Sequence, residues 1–237
     1  MSYQYSDNTR FYANLSQGYR APQATELYRL QRDQQTADLD SETATNVEAG
    51  VKGYVDALSY VVSVYHMDKD NFIFRDSDFF NVNDGKSRHR GIEVELRYQF
   101  TPDWDLAVAA THARHTYEHQ QILNGINIKG NDIDTAPRTM ANTRLGWNVS
   151  VNSRVELEWQ HVDEYYTDPE NLHQYEGHDL LHLRASASVT DNLTVYARIL
   201  NLTDEAYAER ADYSGFSGDR YFPGLPRHAM VSAEYQW

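Results

Sequence analysis

The feature that most constrains this chain is a strict two-residue alternation that recurs along its length. In GIEVELRYQF (91–100), Ile92, Val94, Leu96, Tyr98 and Phe100 share one parity, and Glu93, Glu95, Arg97 and Gln99 share the other. In RVELEWQ (154–160), Val155, Leu157 and Trp159 oppose Glu156, Glu158 and Gln160. In LLHLRASASV (180–189), Leu181, Leu183, Ala185, Ala187 and Val189 oppose His182, Arg184, Ser186 and Ser188. NVEAGVKGYV (46–55) sets Val47, Ala49, Val51 and Val55 against Glu48, Lys52 and Tyr54. Successive side chains of an extended strand point to opposite faces, so these are strands with one apolar and one polar face. Helical spacing fits none of them.

The connections add a second constraint. Short polar turns stand at 6–9, 56–57, 101–103, 151–153 and 191–193, and long polar segments at 21–43, 72–88, 118–136, 166–177 and 203–226. Short and long alternate, so each unit reads strand up, long loop, strand down, short turn. Loops this long are uncommon in compact domains unless they carry function. Short turns at one end and long loops at the other are the pattern of outer-membrane β-barrels. About ten residues per strand, at roughly 3.3 Å each and tilted about 45°, rise roughly 23 Å, near the height of the apolar band of such barrels. Phe100, Trp104, Trp147 and Trp237 all fall at the short-turn end, where an interfacial aromatic girdle belongs. The closing strand, Ala229 to Trp237, alternates to its last residue, and Tyr235 and Trp237 are its terminal signature.

Composition removes several classes. With 21 basic and 35 acidic residues, the formal charge is −14, which excludes the basic footprint of a nucleic-acid partner. There is no cysteine, hence no disulfide framework and no thiolate metal site. The longest apolar run, Leu106–Ala110, is far too short for a membrane helix. A membrane β-barrel needs apolar residues only at every second position, which agrees with a mean hydropathy of −0.72. The opening MSYQYSDNTR has neither a basic nor an apolar stretch of the secretory kind.

Five segments, in order, carry a family resemblance: GYRAPQATELY (18–28), LDSETATNVEAGVKG (39–53), NLTDEAY (201–207), RYFPGLPR (220–227) and the terminal VSAEYQW. Together they resemble the C-terminal barrel of TonB-dependent outer-membrane receptors. The resemblance implies an all-β, antiparallel up-and-down transmembrane barrel segment, about 10 strands and a partial one of a family barrel of about 22. It implies that residues 1–237 are the C-terminal portion of that barrel, without plug domain or signal peptide. It also implies a bacterial outer-membrane location and uptake of a ferric siderophore or similar chelate. The partners it implies are TonB, outer-membrane lipid and the barrel-assembly machinery. A passive porin-like channel or an adhesin barrel is the alternative; the family-like segments have no place in a simple pore. A soluble β-sheet binding module would instead bury Ile92, Val94 and Leu96 in a protein core.

Ligand selectivity is expected in the long loops. Their arginines and aromatics suit an anionic, aromatic chelate. The candidates are Arg20, Tyr28, Arg29, Arg75, Phe79, Tyr165, Tyr166, Tyr213 and Arg220. HARHTYEH brings together His112, His115 and His119, but His112 has the opposite strand parity to the other two, so no metal site is expected there. Residues 20–46 contain no histidine, which weighs against a haem ligand. The acidic stretches 66–78 and 130–135 lack the layout of a calcium loop. No cofactor is expected, and no local Ser/His/Asp constellation suggests an enzyme. Inward Glu93, Glu95, Glu156, Glu158 and Glu234 read as lumen wall, offset by Arg97, Arg144, Arg184 and Arg198.

Overall fold

In the computed structural model, which describes residues 1–30, 34–75 and 80–237, the alternating segments form one antiparallel sheet of eleven strands in chain order. The strands are β1 (Ser2–Ser6), β2 (Thr9–Arg20), β3 (Glu42–Val55), β4 (Leu58–Arg75), β5 (Asn81–Gln99) and β6 (Trp104–Tyr117). They continue with β7 (Thr139–Ser150), β8 (Ser153–Val162), β9 (His178–Thr190), β10 (Leu193–Leu200) and β11 (His228–Tyr235). The ten expected strands and the partial one at the start are these eleven. All five short turns stand where the sequence put them.

Register carries the parity pattern across the sheet. Phe11 pairs with Val51, Val51 with Val62, Val62 with Val94, and Val94 with Ala110. Further round, Leu157 lies between Leu145 and Leu183, Leu183 faces Ile199, and Ile199 faces Ala229. This apolar face is open: Leu15 is 73% exposed and Val231 77%. The polar face is crowded: Ser63 is 4% exposed, Glu158 5% and His182 7%. A soluble sheet does the reverse. Side chains converge on a concave face and shield one another, so the polar side is the lumen wall and the apolar side is the wall that meets lipid. Arg184 pairs with Glu158 at 2.5 Å and Glu156 at 3.5 Å on the lumen wall, and Arg154 pairs with Asp105 at 2.7 Å.

The girdle is built at the short-turn end. Trp104 and Trp147 face each other in register, their rings stacked at 5.3 Å and 7°. Phe100 lies 6.4 Å from Trp104, and Tyr98 lies 5.8 Å from Phe100. Tyr235 and Trp237, 6.5 Å apart, continue it on the last strand. Trp159, at the opposite end, donates to Asp179 at 2.8 Å.

One boundary is corrected. Segment 72–88, read as a loop, is mostly strand: β4 runs to Arg75 and β5 starts at Asn81. Its outward residues are charged, and Arg88 pairs with Asp68 at 2.9 Å and Lys86 with Asp70 at 3.1 Å. Backbone pairing does not require apolar side chains, so the hairpin continues into water beyond the apolar band.

We expect Val62→Arg, which places a charge on the lipid wall, to destabilise the inserted sheet by about 2–4 kcal/mol. Val61→Arg, one residue away on the lumen wall, should cost much less. Reversible folding into phospholipid vesicles, followed by heat-modifiable electrophoretic mobility, compares the two; equal effects would contradict the assignment of faces.

Candidate functional site

The long loops gather at one end, and three of them interlock. The buried hydrophobic cluster of the described residues lies there: Tyr165, Tyr175, Ala208 and Ala211, with Val162 against it. The Tyr165 hydroxyl accepts from the Ala211 N–H at 2.8 Å, and the Tyr175 hydroxyl accepts from the Ala208 N–H at 3.0 Å. Two phenols from the fourth loop thus cap an edge of the hairpin 208–223 in the fifth. The ring of His173 stacks on Tyr213 at 3.6 Å. The third loop is tied to the fourth by a reciprocal pair: the Asp132 N–H donates to Asn171 Oδ1, and Asn171 Nδ2 donates to the Asp132 carbonyl, both at 2.9 Å. Asp132 also holds Arg114 at 2.9 Å and, by a very short contact, Arg138. The Tyr117 hydroxyl donates to Asp134 at 2.6 Å, and burial raises the Asp134 carboxyl above its ordinary range.

The first loop is held differently. Arg20, at the end of β2, binds Glu42 at 2.5 Å and Glu26 at 3.0 Å. Glu42 also takes Lys69 at 3.0 Å and the Ile73 N–H at 2.9 Å. Hydrogen bonds from Arg20 hold the Glu42 carboxyl down to about 2. The helical turn Ala24–Tyr28 starts with a capping box in which Glu26 accepts from the Gln23 N–H at 2.6 Å. At its far end Tyr28 is 81% exposed, and Arg29 is exposed with no ion-pair partner among the described residues. Asn81 ties the first loop to the second, donating to the Glu26 carbonyl at 2.7 Å.

The family-like segments have local reasons. Asn201, 1% exposed with φ of 52°, donates to the carbonyls of Glu205 and Leu225 and accepts from the Glu205 N–H. It therefore pins NLTDEAY against RYFPGLPR. A Cβ at Gly224 would sit 2.1 Å from the Tyr207 ring, so a larger residue there would displace the ring that packs between the two segments.

Residues 1–202 match the family model for the TonB-dependent receptor-like β-barrel. The chain belongs to the TonB-dependent receptor family. The vitamin B12 transporter BtuB of Photobacterium profundum is 24% identical over 227 residues, which are 90% of this chain and 34% of that protein. Among solved structures, the ferric yersiniabactin uptake receptor FyuA of Yersinia pestis superposes with a TM-score of 0.82 at 17% identity, over 99% of this chain and 36% of that one. The unliganded ferric citrate transporter FecA gives 0.81 at 17%, over 98% and 37%. The chain thus spans about a third of the length of the relatives it matches. It is a bacterial outer-membrane protein, and its family consists of receptors and transporters.

Within this receptor barrel the sequence candidates separate. Tyr28 and Arg29 are exposed at the mouth, Arg29 with no ion-pair partner among the described residues. Arg20 and Arg220 are engaged, Arg220 with Asp212 at 2.5 Å. Tyr165 is buried structure, Tyr213 is stacked, and half-buried Tyr166 has its carbonyl bonded to the Thr135 N–H at 2.8 Å. Arg75 closes β4, and Phe79 lies outside the described residues. The histidines part as parity demands. His112 bonds Thr139 at 2.9 Å on the outer wall, while His115 meets His89 on the inner one. His119 packs edge-on to Phe72 at 5.1 Å. Sequence reading passed over His89, Glu42, Asp132 and Asn171, whose partners are distant in sequence. Among the described residues no group of three or more His, Asp or Glu converges as a metal site.

Two outcomes follow. Tyr165→Phe leaves the Ala211 N–H buried and unpaired, a loss of about 1–3 kcal/mol that should appear as faster amide exchange at Ala211 without loss of the barrel. The Glu42 carboxyl, ordinarily near 4.5 and held at about 2 when folded, stabilises the first loop fully above pH 4.5 and loses that contribution as pH falls through 2. In Glu42→Gln that acid-dependent step should vanish from loop protease protection measured across the same range.

Proposed function

We propose that this chain forms part of the barrel wall and extracellular mouth of a receptor that takes up a scarce metal chelate of the ferric siderophore kind, with energy supplied through TonB. The observation that carries the reading is the join of a polar lumen wall to an ordered loop cap. A passive pore needs the wall alone; a receptor needs a mouth shaped to hold a ligand. The relatives' names, a vitamin B12 transporter and receptors for ferric yersiniabactin and ferric citrate, support a chelate as cargo. Assembly partners follow from the same reading: TonB from the periplasm, and the barrel-assembly machinery for insertion. No catalytic role is proposed.

The loop charges refine the ligand class. Segment 163–179 carries six carboxylates (Asp163, Glu164, Asp168, Glu170, Glu176, Asp179) and neither Lys nor Arg. Arg20 is paired with Glu26 and Glu42, and Arg220 shares Asp212 with Arg210. This half of the mouth therefore favours a chelate of low net negative charge. Contact is made through the Tyr28 ring and the Arg29 guanidinium.

Uptake of radiolabelled iron by cells carrying the receptor, offered as catecholate, hydroxamate and citrate chelates, tests the proposal. Uptake of one chelate that stops when the proton gradient is collapsed is expected, with Tyr28→Ala and Arg29→Ala each raising KM about 3–30-fold, the span of one lost contact. Gradient-independent uptake of all three would overturn it.

A further inference from the structure

A row of donor atoms crosses the lumen wall just above the level of the apolar band. Asn46 on β3 pairs in register with Met67 on β4, Met67 with His89 on β5, and His89 with His115 on β6. All four have inward parity. At this level the outward neighbours are polar, with Arg90 and Arg114 paired across β5 and β6. The two imidazoles are already in contact: His89 Nδ1 and His115 Nδ1 lie 2.8 Å apart, with ring centroids 5.0 Å apart. At the other end of the row, Asn46 Oδ1 is buried without a hydrogen-bond partner.

We propose that His89 and His115, with Met67 beside them, bind a copper(II)-class metal cation on the lumen wall, at a site separate from the chelate-binding loops. Imidazole nitrogens suit copper(II) and zinc alike, and copper(II) stands highest in the affinity order of the divalent first-row metals. A thioether neighbour adds softness.

The proton inventory also permits it. With both Nδ1 atoms facing, one ring must donate and the other accept. Metal binding needs both lone pairs, so the donor ring must move its proton to Nε2. Ser87 Oγ lies 3.0 Å from His89 Nε2, and a hydroxyl donates or accepts with equal ease. The tautomer change therefore keeps the Ser87 hydrogen bond while the bond between the two rings gives way to the metal, and Ser87 orients the ring as an outer partner of a ligating histidine does. Around the pair, Lys69 and Ser87 share the inward face one row further out, and Asp132 holds Arg114 on the wall behind.

The site goes beyond the chelate-uptake reading and does not depend on it. The test uses the receptor that carries this chain, without a histidine tag, in detergent micelles, titrated with copper(II) glycinate and read by electron paramagnetic resonance. One equivalent with an axial spectrum and splitting from two imidazole nitrogens is expected. His89→Gln and His115→Gln should each weaken binding at least ten-fold and remove that splitting. His112→Gln, on the same strand but facing outward, should change nothing. Heat-modifiable mobility identical in all three variants separates loss of a ligand from loss of the fold. Absence of saturable binding, binding that survives in the double variant, or tighter binding of zinc would overturn the proposal.

Discussion

Everything in this molecule follows from the requirement that backbone N–H and C=O groups in hydrocarbon find partners within the protein. The nine inner strands of the eleven-stranded sheet meet it on both edges by pairing with their chain neighbours, and β1 and β11 each meet it on one edge. Once the ladder has taken the backbone, the side chains are free to sort by parity alone. The sorting in turn fixes register: a one-residue slip of β5 would push Glu93, Glu95 and Arg97 into lipid and Ile92, Val94 and Leu96 into the polar lumen. The ladder also explains why β4 and β5 run past the apolar band, since pairing there continues on charged side chains.

The ordinary logic of a folded domain returns only where water returns. The cluster of Tyr165, Tyr175, Ala208 and Ala211 sits in the loops and is cemented by polar groups with defined partners. Within the barrel wall, burial belongs instead to polar residues such as Ser63, Glu158 and His182, because the concave face crowds them together. The receptor thus has a wall ordered by lipid and a mouth ordered by packing. The two meet at strand ends, where Arg20, Glu42 and Asp132 tie loop to strand.

Legibility in the sequence followed range. Parity, short turns and the aromatic girdle depend on residues a few positions apart, so Trp104, Trp147 and the faces of β5 and β8 could be read directly. Segment 72–88 was misread because polarity suggested a loop, while pairing depended on a partner strand. Arg20 looked free because Glu42 lies 22 residues away. His112, His115 and His119 drew attention by proximity, yet His115 finds its partner 26 residues upstream, in His89.

By itself, then, the sequence determined the period of the strands, which face meets lipid, which end carries turns and which carries loops, and the family. These are properties of local geometry: the two-residue repeat converts order along the chain into sides of a sheet. The tertiary structure decided which loop residues are free and which are consumed. Tyr28 and Arg29 are exposed, Arg20 and Arg220 are paired, Tyr165 is structural, and His89 meets His115. Those outcomes depend on contacts between segments tens of residues apart, and a charge or a ring in a sequence carries no record of what will neutralise or cover it.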